Sequence, residues 1–380
     1  MGAAIAIRLA QHFPAAVTVA ISPAPMGSVN QLPPGFILFD RPLRVPANLL
    51  ILRGALEPRS LDANDRSLLA AAGGERSTPQ DFALARAAHF EILSGATHTS
   101  LLFDGRVARA SLDWIRHVLS LQETNDPSPA RHALGGLLGL IGLILLFPAL
   151  TRVATSPFAE PSPLNVPRPR SPLLLLAVFV LSAVVSVLLL RFWNPLRALQ
   201  ILTADYLAAS MLFSALVIFL LFRKDAYALF SVHFSALLPA TLLALATVML
   251  FGLWVNWHLT DAWMSSARWL RFFPLLIVLA PYHAAEEALL AFLPRQSRAL
   301  RVLFFLVFRA ILWLAWIAAL FFLHSGQILL FLLAPFFLVL FLLQRLAAET
   351  VLLSTASRSA PALYGAILAA WLLAASLPLT

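Results

Sequence analysis

The chain has 380 residues, 60% hydrophobic and 12% charged, against about 45–50% and 25% in ordinary soluble domains. With 28 Phe, 9 Trp and a mean hydropathy of +0.85, it is not a wholly soluble, disordered or fibrous protein. The formal charge of +9 is uneven: residues 1–131 hold 12 Arg and 11 Asp or Glu, residues 132–380 hold 15 Arg or Lys and 7 Asp or Glu. Most of those cations flank apolar runs, the pattern of membrane loops rather than of a phosphate-binding face, so no nucleic-acid partner is expected.

The first element is a small-residue helix, Met1 to Pro14, with apolar positions at helical spacing. A strand follows over 16–21, ending at Ser22-Pro23. A second apolar run, Val45 to Gly54, reads as another strand, with Glu57 just beyond its glycine. Residues 92–101 hold His98, and the run 112–119 lies ahead of the polar stretch. Residues 1–20 look like helix and strand rather than an export signal. Gln122 to Pro129 is polar and ends in prolines, which sets a linker at 122–132. The absence of cysteine removes any disulfide framework.

The ordered set of these landmarks resembles the C-terminal part of an α/β-hydrolase domain, over about a third of the chain: 45–54 resembles the strand that carries the acid, 92–101 the loop that bears the general base, and 112–119 the closing helix. In that family a strand ends in a G-x-S-x-G turn that exposes the nucleophilic Ser, and a small-residue helix follows. Met1-Gly2 resembles the final x-G of the turn, which sets the missing Ser immediately before Met1. The resemblance implies hydrolysis of an ester, thioester or amide through an acyl-Ser intermediate. His98 would be the general base and Glu57 the acid, with Asp62 and Asp65 in the same loop as alternatives to Glu57. Ser22, Ser28, Ser94 and Ser100 lack the strand–turn–helix context and are not expected to replace the nucleophile. Without the Ser, the chain as it stands is expected to be inactive in Ser-dependent turnover. The remaining three strands would form a sheet whose edge lies at the strand 17–21. The implied substrate is a small acyl or lipid-like molecule; no cofactor and no metal are implied.

Beyond the linker, apolar runs lengthen to roughly 18–23 residues, enough to cross ~30 Å of hydrocarbon at 1.5 Å per residue. They fall at 133–151, 172–190, 206–222, 234–256, 272–293, 302–323, 327–343 and 361–379. The expected fold is therefore a partial α/β sheet with helices over 1–121, followed by an all-α transmembrane bundle of about eight helices over 133–380. This makes the chain a multi-pass integral membrane protein in contact with the lipid bilayer, expected in a bacterial plasma membrane. The fifth run is the least regular, because Pro274, Pro281, Glu286 and Glu287 interrupt it. Loops after odd-numbered runs collect Arg152, Arg168, Arg170, Arg223, Lys224, Arg295, Arg298, Arg301, Arg345 and Arg358. The other side holds Arg191, Arg197, Arg268 and Arg271, so the positive-inside rule leans toward an extracytoplasmic N-terminal module.

One polar cluster lies at membrane depth. His283, Glu286 and Glu287 share a helical face, and Arg309 in the next run is their expected partner. His233, His258, Asp261 and His324 fall near run ends. The cluster reads either as a salt-bridge tie between helices or as the working part of a transporter or membrane scaffold carrying a vestigial hydrolase module. The Glu286-Glu287 pair resembles the start of the first motif of intramembrane CAAX-type proteases, but Ala291 stands where that motif has Arg and its later His elements are missing, so a metal-dependent peptidase is disfavoured.

Overall fold

The structure is a computed structural model that describes residues 3, 6–7, 9–10, 13, 15–23, 45–57, 59–74, 77–98, 100–122, 129–155, 167–201, 203–223, 234–258, 263–293, 298–323 and 328–377. Met1, Gly2, Ser28, His233, Asp261 and His324 lie outside the described residues, as does the side chain of His258. The chain divides into two compact units, Met1–Leu137 and Leu138–Thr380.

The first unit is built on a three-stranded parallel sheet in the order β1-β2-β3. Its strands are β1 (Thr18–Ile21), β2 (Leu49–Gly54) and β3 (Ala88–Leu93). Thr18 pairs with Leu49, and Leu49 in turn with Ala88, which sets the register. Parallel neighbours need a crossover, and α1 (Arg59–Ala71) supplies the one between β2 and β3. The central strand β2 is buried along its whole length, as expected for a parallel strand covered on both faces. Side chains alternate across it. Leu49 and Ile51 pack with Ile7 of the first helix, Ala20, Leu68 and Leu69. Leu50 and Leu52 pack on the opposite face with Leu101, Val107 and Trp114. The expected closing helix is longer than its sequence reading. It is α2 (Gly105–Leu119), started by Asp104, whose side chain accepts from the Arg106 N–H. The Arg106 side chain bonded to Asp104 holds that carboxyl below its ordinary range, the bond outweighing the opposing effect of burial. Trp114 of α2 donates its indole N–H to Asn48 O at 2.8 Å, fastening the helix to the start of β2.

The second unit consists of helices. In chain order they are α3 (Pro129–Thr155, which begins in the first unit), α4 (Pro172–Phe192), α5 (Ala204–Leu221), α6 (Phe234–His258), α7 (Ser266–Ala291), α8 (Arg298–Phe322), α9 (Ile328–Thr355) and α10 (Ser359–Ser376). Seven of them, all but α9, hold described apolar windows long enough to cross a membrane. The expected run 327–343 falls on α9, where residue 327 and the side chains of 328–336 lie outside the described residues. Helix α7 is continuous through Pro274 and Pro281, so the interrupted fifth run is one span of the seven. Prolines are tolerated in such helices because neighbouring groups re-satisfy the freed carbonyls.

Enclosure varies sharply within the unit. The apolar window of α10 is 72% buried, that of α3 only 17%. Ala and Gly dominate the inner face of α10, and small residues let helices approach closely. It packs against α6, α7 and α9, while α4 packs against α5 and α8. This leaves α7 enclosed on several sides, which places its polar residues in the interior.

Candidate functional site

Three side chains meet at the ends of the strands in the first unit. β2 finishes at Gly54, and a turn follows in which the Glu57 N–H donates to Gly54 O at 3.2 Å. The turn folds Glu57 back so that Oε2 accepts the Gly54 N–H at 3.0 Å. Beyond β3, Gly95 has φ +70°, a conformation that favours glycine, and reverses the chain toward β2. The reversed loop crosses Gly54 so closely that a Cβ there would lie 2.3 Å from Ala96 O. Ala96 O accepts the Leu56 N–H at 3.0 Å. The glycines of the R-G-A-L-E and S-G-A-T-H segments thus allow the loops that carry Glu57 and His98 to touch.

His98 is carried to Glu57 by that crossing. Its Nδ1 lies 2.7 Å from Glu57 Oε1. The Glu57 side chain is fully buried and the His98 side chain is 53% exposed. A buried carboxylate is costly unless hydrogen-bonded, and here Gly54 N–H, His98 and the nearby Arg53 guanidinium at 3.9 Å surround it. A carboxylate facing Nδ1 favours the tautomer with the proton on Nδ1 and the lone pair on Nε2. No described residue bonds Nε2. This is the protonation pattern of a general base held by an acid.

The alternative acids do not reach the imidazole. Asp62 pairs with Arg53 at 2.8 Å and Arg66 at 3.0 Å, and Asp65 is buried on α1. Ser94 accepts from Arg106 at 3.3 Å, and Ser100 caps Thr97. Ser22, set aside in the sequence reading only as a nucleophile, has a contact with the pair that the reading does not foresee. It closes β1 with φ +49°, is 3% exposed, and places Oγ 2.5 Å from Glu57 Oε1 and 2.7 Å from His98 Nδ1. Nothing local in the sequence signals this, because Ser22, Glu57 and His98 follow three different strands and are joined only by the parallel pairing of β1 with β2 and of β2 with β3.

A second polar assembly lies inside the other unit. His283, Glu286 and Glu287 face inward from α7, all nearly inaccessible. Arg309 of α8 donates to Glu286 Oε2 at 2.8 Å, as its position in the next run suggested. Its guanidinium also stacks over the rings of Phe341 at 4.6 Å, Phe305 at 4.9 Å and Tyr282 at 5.1 Å. Arg345 of α9 donates to Glu287 Oε1 at 2.5 Å and also pairs with Glu349. Arg301 of α8 completes the chain through Glu349 Oε2 at 2.6 Å. Gln344 bonds His283 Nδ1 at 3.3 Å, beneath Gly365 of α10, where a Cβ would lie 2.5 Å from Gln344 Nε2.

Arg301 and Arg345 are corrected by this arrangement: the hydropathy reading placed them in loops, yet both are buried within helices. Removing them from the loop count weakens the orientation drawn from it. Three guanidiniums face three carboxylates, Arg301, Arg309 and Arg345 against Glu286, Glu287 and Glu349. Among the described residues, no group of three or more His, Cys, Asp or Glu is arranged to hold a metal ion.

Compared with models of known protein families, with curated proteins and with solved structures, the chain matches none.

Proposed function

We propose that the first unit is the acid–base half of an α/β-hydrolase-type serine hydrolase borne on a multi-pass membrane domain. It would cleave an ester, thioester or amide of a small acyl or lipid-like substrate. The observation that carries this reading is the buried Glu57 held 2.7 Å from Nδ1 of a half-exposed His98. The order of the elements supports it too: a small-residue helix, a strand, the acid after the next strand, then the base. In this mechanism Nε2 of His98 takes the proton of a nucleophilic hydroxyl as the oxygen attacks the substrate carbonyl. Glu57 stabilises the imidazolium. The same proton then passes to the leaving group, and water repeats the sequence to release the acid. By resemblance the hydroxyl belongs to a Ser that would stand immediately before Met1.

The intramembrane network is read as a structural tie rather than as a transport path. Each of its carboxylates is matched by a guanidinium, so it offers no unbalanced charge to a moving ion.

The chain as it stands and the chain preceded by the residues encoded directly upstream should be purified in detergent and assayed with p-nitrophenyl acyl esters. Turnover is expected only in the longer protein. A longer protein that carries the Ser and remains inert, or an upstream codon that does not encode Ser, overturns the hydrolase reading.

A further inference from the structure

Among the described residues, Ser22 supplies the hydroxyl that touches both members of the pair. Its Oγ, Glu57 Oε1 and His98 Nδ1 form a triangle with sides of 2.5, 2.7 and 2.7 Å. One hydroxyl proton and one ring proton must serve these three contacts. If Ser22 donated to Nδ1, the ring nitrogen would carry no proton, and its lone pair would face a carboxylate oxygen at 2.7 Å. The consistent assignment has Oγ–H donating to Oε1 and Nδ1–H directed between Oε1 and Oγ. Oε1 then accepts two bonds while Oε2 accepts the Gly54 N–H, so the carboxylate is held at both oxygens.

Position excludes Ser22 as the attacking group. Its Oγ sits on the Nδ1 side of the ring, sharing that nitrogen with Glu57, whereas a general base takes its proton at Nε2. The residue is 3% exposed, which leaves no room for a carbonyl carbon at the ~3–3.5 Å that attack requires. The backbone fixes it further. Ser22 N–H donates to Leu52 O at 2.8 Å, and φ is +49°, a region that residues other than glycine seldom enter.

We propose that Ser22 is a positioning residue: its hydroxyl bridges Glu57 to His98, holds Oε1 beside the ring, and so fixes the proton on Nδ1. This inference rests on the acid–base reading of Glu57 and His98. Its experiment tells the two apart.

The test follows the His98 Nδ1 proton by NMR in the full 380-residue chain, labelled with 15N-histidine in detergent micelles. Ser22→Ala is expected to shift the resonance upfield and speed its exchange with water about tenfold, the effect of one lost hydrogen bond to a charged group. Ser22→Gly, which accepts φ +49° without cost, is expected to do the same, so that the change follows the hydroxyl and not the backbone. Exchange within twofold of the parent in either variant overturns the inference. Glu57→Gln serves as the reference. If it abolishes the Nδ1 proton while the Ser22 variants leave it intact, the acid–base pair stands and the role of Ser22 falls. If Glu57→Gln leaves that proton undisturbed, the pair itself is wrong.

Discussion

Glu57→Gln should lower kcat by about 10^4-fold in the protein that turns over, with KM nearly unchanged. The size follows the loss of the acid from a Ser-His-acid triad in general. Here the cause can be traced atom by atom. The Gly54 N–H requires an acceptor where Oε2 now lies, so the amide oxygen of Gln takes that place. Its NH2 group then faces Ser22 Oγ and His98 Nδ1, which lie 2.5 and 2.7 Å from Oε1. A donor opposite Nδ1 makes that nitrogen an acceptor and moves the ring proton to Nε2, the position that must be bare to accept a proton. The imidazolium also loses its counter-charge. Since Glu57 is buried behind His98, it does not touch substrate, and KM reports little of the change. Steady-state kinetics of Glu57→Gln beside the parent protein supply the check. A loss of kcat smaller than tenfold would remove Glu57 from the mechanism.

The largest expected effect on stability lies in the membrane unit. Arg345→Met should destabilise it by about 3–5 kcal/mol, the usual cost of taking one partner from a buried ion pair. Arg345 is fully buried and joins Glu287 at 2.5 Å to Glu349. Its removal affects the two acids unequally. Glu349 keeps Arg301 at 2.6 Å, but Glu287, with a side chain 5% exposed, is left without its cation. Met fills much the same length, so the loss reports charge rather than a cavity. Denaturant titration of the detergent-solubilised protein measures it. Adding Glu287→Gln to Arg345→Met should recover part of the loss, because the uncompensated charge is gone. Additive losses in the double variant would show that the two side chains are not coupled.

Much of this organisation is legible in the sequence, and the exceptions have physical causes. A continuous apolar run ending at Gly54 marks β2, and the order of the landmarks along the chain points to Glu57 and His98. Arg309 is visible as a partner because it sits in the middle of an apolar run. Arg301, Arg345 and Glu349 are not, because hydropathy ends a span where charge begins, whereas helices end where backbone bonds end. Helix α9 extends to Thr355, so two residues that look like loop charges form the inner face of its final turns. Ser22 is hidden for a different reason. Its partners stand 35 and 76 residues away, and only the parallel pairing of β1 with β2 and of β2 with β3, together with a positive φ that sequence does not announce, brings them together.

The most direct test of the acid–base pair is the tautomer of His98 in the parent chain, read from its two ring-nitrogen 15N shifts near neutral pH. A proton resident on Nδ1, with Nε2 bare, is the result predicted by a Glu57 carboxylate at 2.7 Å. A proton resident on Nε2 would contradict it, since the base would then be blocked at the atom on which catalysis depends.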